Sequence, residues 1–321
     1  MHGLLSCGGS EAVSMPKAII VHDPVVNGSL EYMARENRNV SVEEKFLFRQ
    51  LPDVSLFSEQ YVKFVEAVKR VINDIYYLHE IVGKTSVFES AKYNPNQVYT
   101  RDGLITLPWI ADSYIQCRMA KPIRKSEPII LEAAARYFGL NSIVDLPEGL
   151  ILEGGDVIPW MRHEKRSLLM GYGQRTTIEA IEYLSTKLIP KYIDEIIGIR
   201  LAPWRINLDG GLVPIADNVV IAQPESLLDA FMINERGKVG IDIFKLFKDF
   251  EVDVVSVSIE ESIYQQACNC LCLGNRRIIC YDMCDRIMPI LEKLQIDAIS
   301  ISGSELVCGT GGPRCMTRPI Y

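Results

Sequence analysis

Short apolar runs alternate with helix-like segments along this chain of 321 residues, and no Pro/Gly/Ser-rich linker interrupts the alternation. The runs GLITLP (103–108), LILEGGDVIPW (150–160) and SLLMGYG (167–173) are typical of strands, and IILEAAARYFGL (129–140) is typical of a helix. Strands and helices mixed this evenly indicate an α/β or α+β architecture. Because no linker divides the chain, one compact domain is favoured over two.

The alternation continues in the second half of the chain. It predicts a strand in VVIAQP before a helix in SLLDAFMIN, a strand in VDVVSVSI before a helix in ESIYQQA, the strand pair CLCLGN and RRIICY, and a helix over 285–294. A further helix is predicted to begin near Thr176, with Glu179 as its capping-box partner. Blocks of roughly 60 residues allow about five copies of a strand–helix unit.

The start of the domain is predicted just before KAIIVHDP, an apolar run that ends in a turn signal. The preceding residues are small, polar and Gly-rich, so we predict a flexible tail over residues 1–14 and a single domain over residues 15–321. Apolar residues recur at three- and four-residue spacing from Val54 to Gly83, which predicts one amphipathic helix closed by Gly83.

The charge balance narrows the classes of partner. With 34 basic and 41 acidic residues the net charge is −7, which disfavours nucleic acid and anionic membranes and favours a small cationic ligand. No run approaches the ~18 to 20 apolar residues of a membrane span, and the opening residues lack the features of a signal peptide. We therefore expect a cytoplasmic protein, in which the nine cysteines are reduced thiols.

Four polar clusters fall next to predicted strands. They are NQVYTRD (96–102), EGGD with Glu153 and Asp156, NLDGG with Asn207 and Asp209, and GTGGPRCMTRP around Cys315. Carboxylates that converge on a planar cation suit a guanidinium, whose N–H groups pair with bidentate acceptors. A cysteine that faces the central carbon would attack it as a thiolate. The pattern predicts covalent chemistry on a small guanidino or amidino substrate, without a metal or cofactor.

At these residues the chain resembles the guanidine-modifying, or pentein, superfamily. The resemblance is closest to arginine deiminase, with amidinotransferases and dimethylarginine dimethylaminohydrolase as relatives, and it runs from about residue 16 to 321. It rests on the order and spacing of NQVYTRD, LEGGDV, MGYGQRTTIEAI, NLD, GSELV and GGPRCMT. It implies a five-bladed α/β propeller, with pseudo-fivefold ββαβ units around a central active site, and a tendency to self-associate into a homo-oligomer.

The resemblance also implies roles for individual residues. Cys315 would be the nucleophile, Glu153 and Asp209 would hold the guanidinium, and Asp102 would contact the same group. The positions that would line or support the pocket are Asp156, Arg101, Arg175 and Asn96. Taken alone, Cys315 could equally be an inert buried thiol, and the acidic clusters could be solvated turns.

Two residues depart from the family pattern. Asn207 replaces the histidine of the His-Leu-Asp motif, and an amide cannot transfer a proton at neutral pH; loss of such a group typically costs ~10² to 10⁴ in rate. Thr310 stands where arginine deiminases carry an arginine that pairs with the substrate carboxylate, a contact of about 1.5 to 3 kcal/mol. Free arginine is therefore a doubtful substrate.

The other histidines offer one alternative base. Of His2, His22, His79 and His163, only His22 ends a predicted strand and so could approach a central pocket, although such a residue is more often part of a turn. His2 falls in the predicted tail, His79 on the predicted long helix and His163 at a predicted hairpin tip.

Three cysteines alternate along a predicted strand, at 268, 270 and 272. Neighbours on one strand face are ~6.6 to 7 Å apart, which does not suit a tetrahedral zinc site, so we interpret them as small core residues. The interleaved Asn269 is a candidate for support of the pocket, because the family often has an asparagine there.

Three functions stay open from the sequence. The first is a guanidine- or amidine-modifying hydrolase or amidinotransferase with altered proton transfer. The second is a catalytically silent relative that binds a guanidinium ligand as a sensor or regulatory module. The third is a scaffold without ligand, which would not need such an array of acids.

Overall fold

The computed structural model of the chain describes residues 9–38 and 40–321. Strands and helices alternate within these residues, which confirms the α/β class. The strands are β1 (Ala18–Val21), β2 (Ile75–Tyr77), β3 (Leu104–Ile105), β4 (Ser113–Gln116), β5 (Asn141–Val144), β6 (Val157–Arg162), β7 (Lys165–Tyr172), β8 (Glu195–Leu201), β9 (Leu212–Ala216), β10 (Val219–Ala222), β11 (Leu227–Asn234), β12 (Gly237–Ile241), β13 (Asp253–Ser256), β14 (Leu271–Cys272), β15 (Arg277–Tyr281), β16 (Asp297–Ile301) and β17 (Arg318–Ile320). The α-helices are α1 (Ser29–Glu36), α2 (Val42–Phe46), α3 (Val54–Lys69), α4 (Leu78–Ile81), α5 (Glu127–Tyr137), α6 (Ile178–Leu188), α7 (Ile243–Asp249), α8 (Ile259–Tyr264) and α9 (Met288–Lys293).

The strands of the described residues form five sheets, and one ββαβ pattern recurs in all of them. In each sheet the first and second strands of the unit pair antiparallel, and the second and third pair parallel across a helical connection. Parallel neighbours need such a crossover, which explains the helix in every unit. The units are β3-β4-α5-β5, β6-β7-α6-β8, β9-β10-α7-β13, β14-β15-α9-β16 and β17-β1-α3-β2. The repeated ββαβ units confirm the predicted fold class.

The fifth unit joins distant parts of the chain. Its first strand, β17, pairs with β1, so that Ala18 lies opposite Ile320. The strands of the repeated units are largely apolar and buried; every residue of β9 and β10 is buried. Strands covered on both faces show continuous apolar runs in place of an alternating pattern, as seen here.

The predicted helix from Val54 to Gly83 is too long. Helix α3 ends at Lys69, and Ile75 begins β2, which pairs parallel with β1. Ile75 and the two tyrosines after it are β-branched or aromatic residues, which fit a strand between neighbours better than a helix. The helical spacing therefore continued by chance beyond the end of α3.

Three other elements differ from the sequence predictions in type, start or capping. In place of the helix predicted in SLLDAFMIN, the residues after its serine form β11, which pairs with β8 and forms a hairpin with β12. The strand predicted over 150–160 begins only at Val157, because the preceding glycines form a short 3-10 helix. The N-cap of α6 is Thr177, whose side chain accepts from the backbone N–H of Ala180, so the capping box predicted at Thr176 is absent from this helix.

Residues 9–14, which we assigned to a flexible tail, pack onto the domain in the structure. Glu11 is 5% exposed and forms ion pairs with two buried arginines, so the boundary at residue 14 is wrong. These ion pairs hold the segment in place, and the sequence pattern does not reveal that they form. The remainder of the predicted tail, residues 1–8, lies outside the described residues.

Across residues 9–38 and 40–321, no helix is both long and apolar enough to cross a membrane.

Candidate active site

Each ββαβ unit contributes polar residues from the segment just before its first strand. Asp102 precedes β3, Asp156 precedes β6, Asp209 precedes β9, Asn269 precedes β14 and Cys315 precedes β17. Because the units repeat the same topology, these five segments occupy equivalent positions. Hydrogen bonds between them show that the equivalent segments meet.

The Cys315 thiol lies between an amide and a carboxylate. Its Sγ is 3.0 Å from Nδ2 of Asn269, which donates to it, and the thiol donates to Oδ2 of Asp209 at 3.4 Å. Oδ1 of Asn269 accepts from the backbone N–H groups of Cys315 and Gly312 at 3.0 and 3.1 Å. Asn269, our candidate for support of the pocket, therefore holds both the backbone and the sulfur of Cys315.

Asp209 is held by a chain of buried charges behind the thiol. Its Oδ2 accepts from Nη1 of Arg314 at 2.7 Å. The other terminal nitrogen of Arg314 donates to Glu11 at 3.0 Å, and Glu11 in turn accepts from Arg101 at 2.9 Å. Arg101 also donates to the carbonyl oxygen of Arg314 through Nε. Arg101 thus supports the segment that carries Cys315 from behind.

Asn207 lies between the two acids of EGGD. Its Nδ2 donates to Oε2 of Glu153 at 3.2 Å and to Oδ2 of Asp156 at 3.0 Å. The other oxygen of Asp156 accepts from the backbone N–H of Leu208 at 2.8 Å, and Thr176 donates its hydroxyl to Asp156 at 2.6 Å. Asp156 therefore fixes the turn that carries Asn207 and Asp209.

Asp102 is bound to the same turn of EGGD. Its Oδ1 accepts from the backbone N–H of Gly155 at 2.9 Å. A Cβ on Gly155 would lie 2.6 Å from that oxygen and 3.2 Å from Cβ of Asn207, so only glycine lets the three segments approach. Oδ2 of Asp102 pairs with Nη2 of Arg124 at 2.8 Å.

Two arginines neutralise part of the acidic lining. Arg124 pairs with Asp102 and, at 2.7 Å, with Glu127, and Arg175 donates to both carboxylate oxygens of Glu153 at 3.3 and 3.2 Å. Arg124 and Glu127 were absent from our sequence prediction, because an Arg and a Glu three residues apart usually form a solvated helical pair. Here both side chains are buried.

The pKa of the thiol responds to these surroundings. Desolvation and the nearby charges of Asp209 and Asp102 raise the pKa of Cys315 well above that of an ordinary thiol, while Arg314 and the Asn269 amide oppose the rise. Desolvation also raises the pKa of Asp209 against the effect of Arg314. Cys315 is thus a neutral thiol in the free protein, and a bound cation would favour its thiolate.

Two further carboxyl groups have raised pKa values. Desolvation, with the charge of Glu153, raises the pKa of Asp156 well above its ordinary value, although hydrogen bonds from Thr176, Leu208 and Asn207 oppose the rise. Desolvation raises the pKa of Glu127 to about 7, opposed by Arg124 and Asn94.

Two small cavities open beside the thiol. The larger, of about 80 Å³, and the smaller, of about 30 Å³, share the lining residues Ile206, Asn207, Thr310 and Cys315. Asp209 and Asn269 line the larger cavity, and Asn96 and Asp102 line the smaller. Thr310 adopts a left-handed backbone conformation with φ of 67°.

The structure brings together most of the predicted site. Direct hydrogen bonds connect Asn207 to Glu153 and Asp156, Arg175 to Glu153, and Cys315 to Asp209. Asp102 joins them through the backbone N–H of Gly155, which lies between Glu153 and Asp156 in the chain. Asn96 lines the smaller cavity and donates its amide to the carbonyl oxygen of Phe46 at 2.8 Å. Arg101, Glu153 and Asp156 line neither cavity. Sequence patterns gave no signal for Glu11, because it is a single charged residue whose partners, Arg101 and Arg314, are far away in the sequence.

The histidines within the described residues do not replace the missing base. His22 is fully buried, its Nε2 contacts Nδ2 of Asn27 at 2.8 Å, and desolvation lowers its pKa to about 3. His79 lies on α4, beyond the end of α3, and His163 lies in the turn between β6 and β7. None of the three lines either cavity at Cys315. His2 lies outside the described residues.

The alternating cysteines lie in the core. Cys268 and Cys270 are fully buried and Cys272 is 3% exposed, and all three pack in the main apolar cluster. Only Cys272 belongs to β14, so the predicted strand is shorter than the cysteine pattern suggested.

Comparison with known proteins identifies relatives of the chain. The family model for arginine deiminase matches residues 39–321. The arginine deiminase of Mycoplasma capricolum subsp. capricolum is 31% identical over 193 residues, covering 53% of this chain and 47% of that protein. The arginine deiminase of Listeria welshimeri is 26% identical over 259 residues, covering 70% of this chain and 61% of that protein. The chain therefore spans about half to three fifths of the length of these relatives.

Solved structures share the fold. The N-terminal domain of ArgZ, an arginine dihydrolase from cyanobacteria, matches with a TM-score of 0.70 at 16% identity, covering 95% of this chain and 98% of that chain. The dimethylarginine dimethylaminohydrolase of Pseudomonas aeruginosa matches with a TM-score of 0.66 at 20% identity, covering 95% and 100%. The family match and these folds agree with the repeated ββαβ units, and the chain belongs to the arginine deiminase family, within the pentein superfamily.

Proposed function

We propose that the chain is a guanidine- or amidine-modifying enzyme that works through a covalent thiouronium intermediate on Cys315. One observation carries the proposal: the thiol lies 3.4 Å from Asp209 and 3.0 Å from the Asn269 amide, on the wall shared by two acid-lined cavities. The names of the relatives, arginine deiminase and dimethylarginine dimethylaminohydrolase, support the same class of substrate.

The carboxylates bind the planar cation. Asp209 lines the larger cavity and Asp102 the smaller, and both cavities are lined by Cys315. Glu153 is connected to this wall by the hydrogen bond that it accepts from Asn207. Two or three acids around one guanidinium offer the bidentate acceptors that it prefers. The cation also lowers the pKa of Cys315, because its charge offsets that of the surrounding carboxylates.

The proposed reaction has two steps. The thiol proton passes to Asp209, the sulfur forms a bond to the central guanidinium carbon, one C–N bond breaks, and the amine leaves with the proton. Water or an incoming amine then attacks the same carbon, the C–S bond breaks, and the thiol is restored. Attack by water gives hydrolysis and attack by an amine gives amidino transfer.

Asn207 determines how protons move in this scheme. An amide cannot carry a proton, so Asp209, which already accepts the thiol hydrogen bond, takes the thiol proton in the first step and passes it to the leaving amine. An incoming amine brings its own basic nitrogen, whereas water needs a base. No histidine of residues 9–38 and 40–321 lines either cavity, and this favours amidino transfer over hydrolysis.

A catalytically silent guanidinium sensor is the second candidate. The Asn207 amide and Arg175 already donate to Glu153, and Arg124 already pairs with Asp102. Acids that are paired with donors in this way are weaker proton acceptors, which favours binding of a cation without turnover.

Intact-mass analysis distinguishes the candidates. The protein is incubated with 2-chloroacetamidine and, separately, with a panel of guanidines and amidines with and without amine acceptors. Labelling that disappears in Cys315→Ser but persists in Cys308→Ser, together with turnover, supports the enzyme. A thermal shift without turnover supports the sensor. Labelling that survives Cys315→Ser places the reactive thiol elsewhere and contradicts the proposed mechanism.

A further inference from the structure

The hairpin of β11 and β12 lies outside the repeated ββαβ units. In the chain it falls between β10 and α7 of the third unit, yet β11 pairs with β8 and so extends the sheet of the second unit. That sheet has five strands in the order β12-β11-β8-β7-β6, whereas each of the other four sheets of the described residues has three. β12 is therefore an edge strand that the repeated unit does not require.

The backbone of β12 presents hydrogen-bonding groups at this edge. A two-residue loop joins β11 to β12, and Asn234 lies opposite Gly237. The residues that close such a hairpin exchange backbone hydrogen bonds, and hydrogen-bonded pairs alternate along antiparallel strands. Val239 therefore directs its N–H and C=O toward β11, while Lys238 and Gly240 direct theirs away from the sheet. An edge of this kind can pair with a further strand.

The side chains of β12 leave the edge open. Many edge strands are protected by a lysine that projects across the edge. Here Nζ of Lys238 pairs with Glu182 at 2.8 Å and lies 4.1 Å from the centre of the Phe231 ring, so the lysine is held over the face of its own sheet. A Cβ on Gly240 would have no atom of the described residues within 4 Å. A second strand therefore has room to approach.

Apolar surface lies along the same edge. Val239, in the middle of β12, is 55% exposed, and Leu228, on β11, is 46% exposed. A groove of about 690 Å³ runs beside them and is lined in part by Leu228, Gly240, Ile241 and Phe244. Exposed apolar side chains beside an unpaired edge favour association with another protein surface.

The charges at the two ends of β12 are complementary to each other. Arg236 precedes the strand and Asp242 follows it, both are exposed, and neither forms an ion pair with a described residue. Oδ1 of Asp242 accepts from two backbone N–H groups of α7, which leaves Oδ2 available. Each charge lies three residues from Val239. If two copies of β12 pair antiparallel with Val239 opposite Val239, Arg236 of each copy therefore lies opposite Asp242 of the other.

We propose that the chain forms a homodimer in which two copies of β12 pair antiparallel about a twofold axis at Val239. Lys238 of each copy exchanges backbone hydrogen bonds with Gly240 of the other, and the two Val239 side chains meet at the axis. The two five-stranded sheets become one continuous sheet, and the hairpin turn of the second copy covers the apolar groove. This inference goes beyond the proposed function and does not depend on it.

Sedimentation velocity of the full chain, over about 1 to 100 µM, tests the dimer. We expect a dimer with a micromolar dissociation constant, because one short strand buries less area than a large permanent interface. Val239→Glu should raise the dissociation constant by at least about 10-fold, since two carboxylates would face each other at the axis. The matched control is Val62→Glu on α3, where the valine is 48% exposed, and this variant should dimerise as the wild type does.

Cross-linking tests the position of the axis. Val239→Cys should form a disulfide-linked dimer when oxidised glutathione is added, because opposite residues at a non-hydrogen-bonded position have Cα atoms about 4.5 Å apart, within the span of a disulfide. Leu228→Cys is the control, since Leu228 is similarly exposed but lies on β11, away from the axis. Wild-type protein under the same conditions accounts for the native cysteines. Non-reducing gels measure the product.

A charge exchange tests the pairing of the strand ends. Arg236→Asp and Asp242→Arg should each weaken the dimer, and the double variant should recover most of the loss, because the exchange restores opposite charges across the interface. Asp242 caps α7, so circular dichroism is checked for its variants, and the exposed Val239 carries the decision if they unfold.

The outcomes are decisive in either direction. Dissociation by Val239→Glu together with cross-linking through Val239→Cys supports the interface. A wild-type monomer over the whole concentration range overturns it, and so does a dimer that persists in Val239→Glu or cross-links equally through Leu228→Cys. None of these results bears on the covalent mechanism, which labelling of Cys315 by 2-chloroacetamidine tests separately.

Discussion

Glu11 lies 3.0 Å from the guanidinium of Arg314, although 303 residues separate them in the chain. Through Arg314 the charge of Glu11 reaches Asp209, which accepts the hydrogen bond of the Cys315 thiol. The segment that we assigned to a tail therefore supports the candidate nucleophile.

Replacement of Glu11 by Gln is expected to destabilise the protein by about 3 kcal/mol, because it leaves buried arginines without a counter-charge. Urea denaturation measures the change in the free energy of unfolding. Glu36→Gln is the matched control, since Glu36 pairs with Lys45 at the surface and its loss should cost less than about 1 kcal/mol. Equal stability of Glu11→Gln and wild type would show that the buried ion pairs make no net contribution to the free energy of unfolding.

The same carboxylate makes stability depend on pH. Although desolvation raises it, the charges of Arg101, Arg314 and Arg318 lower the pKa of Glu11 from 4.5 to about 2. A lowered folded-state pKa adds stability above the ordinary pKa, and that contribution is lost as the pH falls toward about 2. The difference in unfolding free energy between wild type and Glu11→Gln should therefore shrink between pH 4.5 and 2, as measured by urea denaturation at each pH. A constant difference would contradict the pairing.

Asp209→Asn should change the reactivity of Cys315 in opposite directions toward neutral and cationic reagents. Removal of the carboxylate charge lowers the pKa of the thiol, so alkylation by neutral iodoacetamide at pH 8 should become faster, by about tenfold for each unit of pKa. Labelling by cationic 2-chloroacetamidine should become slower, because the cation loses a carboxylate that holds it. Intact-mass time courses measure both rates.

Asp217→Asn is the control for that experiment, since Asp217 is an exposed partner of Arg276. Both rates should stay at the wild-type level in this variant. A fall in both rates in Asp209→Asn would mean that the carboxylate only maintains the shape of the site.

Asn207→His should increase any hydrolysis of guanidino substrates, because an imidazole restores a proton carrier on the wall shared by both cavities. The expected gain is about 10² or more if proton transfer limits the rate. Release of ammonia or amine, with quantification of the ureido product, measures it. Asn207→Ala serves as the control for the loss of the amide contacts to Glu153 and Asp156. No gain in the histidine variant would show that other pocket residues limit hydrolysis.

Gly155→Ala should disrupt the site more than the fold. The added methyl group would lie 2.6 Å from the Asp102 carboxylate, which cannot move freely because Arg124 holds its other oxygen. We expect a loss of about 1 to 3 kcal/mol in stability and little labelling by 2-chloroacetamidine. Gly240→Ala is the control, since no atom lies within 4 Å of the added carbon. Normal labelling of Gly155→Ala would show that the loops can separate without loss of the site.

The sequence identified the residues that sit in distinctive local motifs. EGGD, NLD and the glycine-rich segment around Cys315 carry their signal in adjacent residues, and the structure brings these segments together because they precede equivalent strands. Asn269 was also found, because the family often has an asparagine at this position. In these cases the order and spacing of the motifs, together with the family resemblance, were enough to predict the site.

Other parts of the site and fold had no such signal. Glu11 is a single charged residue whose neighbours show no pattern, and only the folded chain reveals its partners. The end of α3 at Lys69 was missed because apolar spacing continued into β2. In that segment pairing with β1 decided the conformation, and a pairing of this kind depends on residues far away in the chain.

The pairing of β17 with β1 gives the molecule a particular order of assembly. Cys315 is positioned by a strand that finds its partner only when both ends of the described chain have come together. Four of the five units can form from neighbouring segments, but the fifth must wait for this most distant contact, whose closure is slow for entropic reasons. The acidic groups therefore come before the sulfur in the order of synthesis, and the thiol gains its neighbours only once β17 has paired with β1.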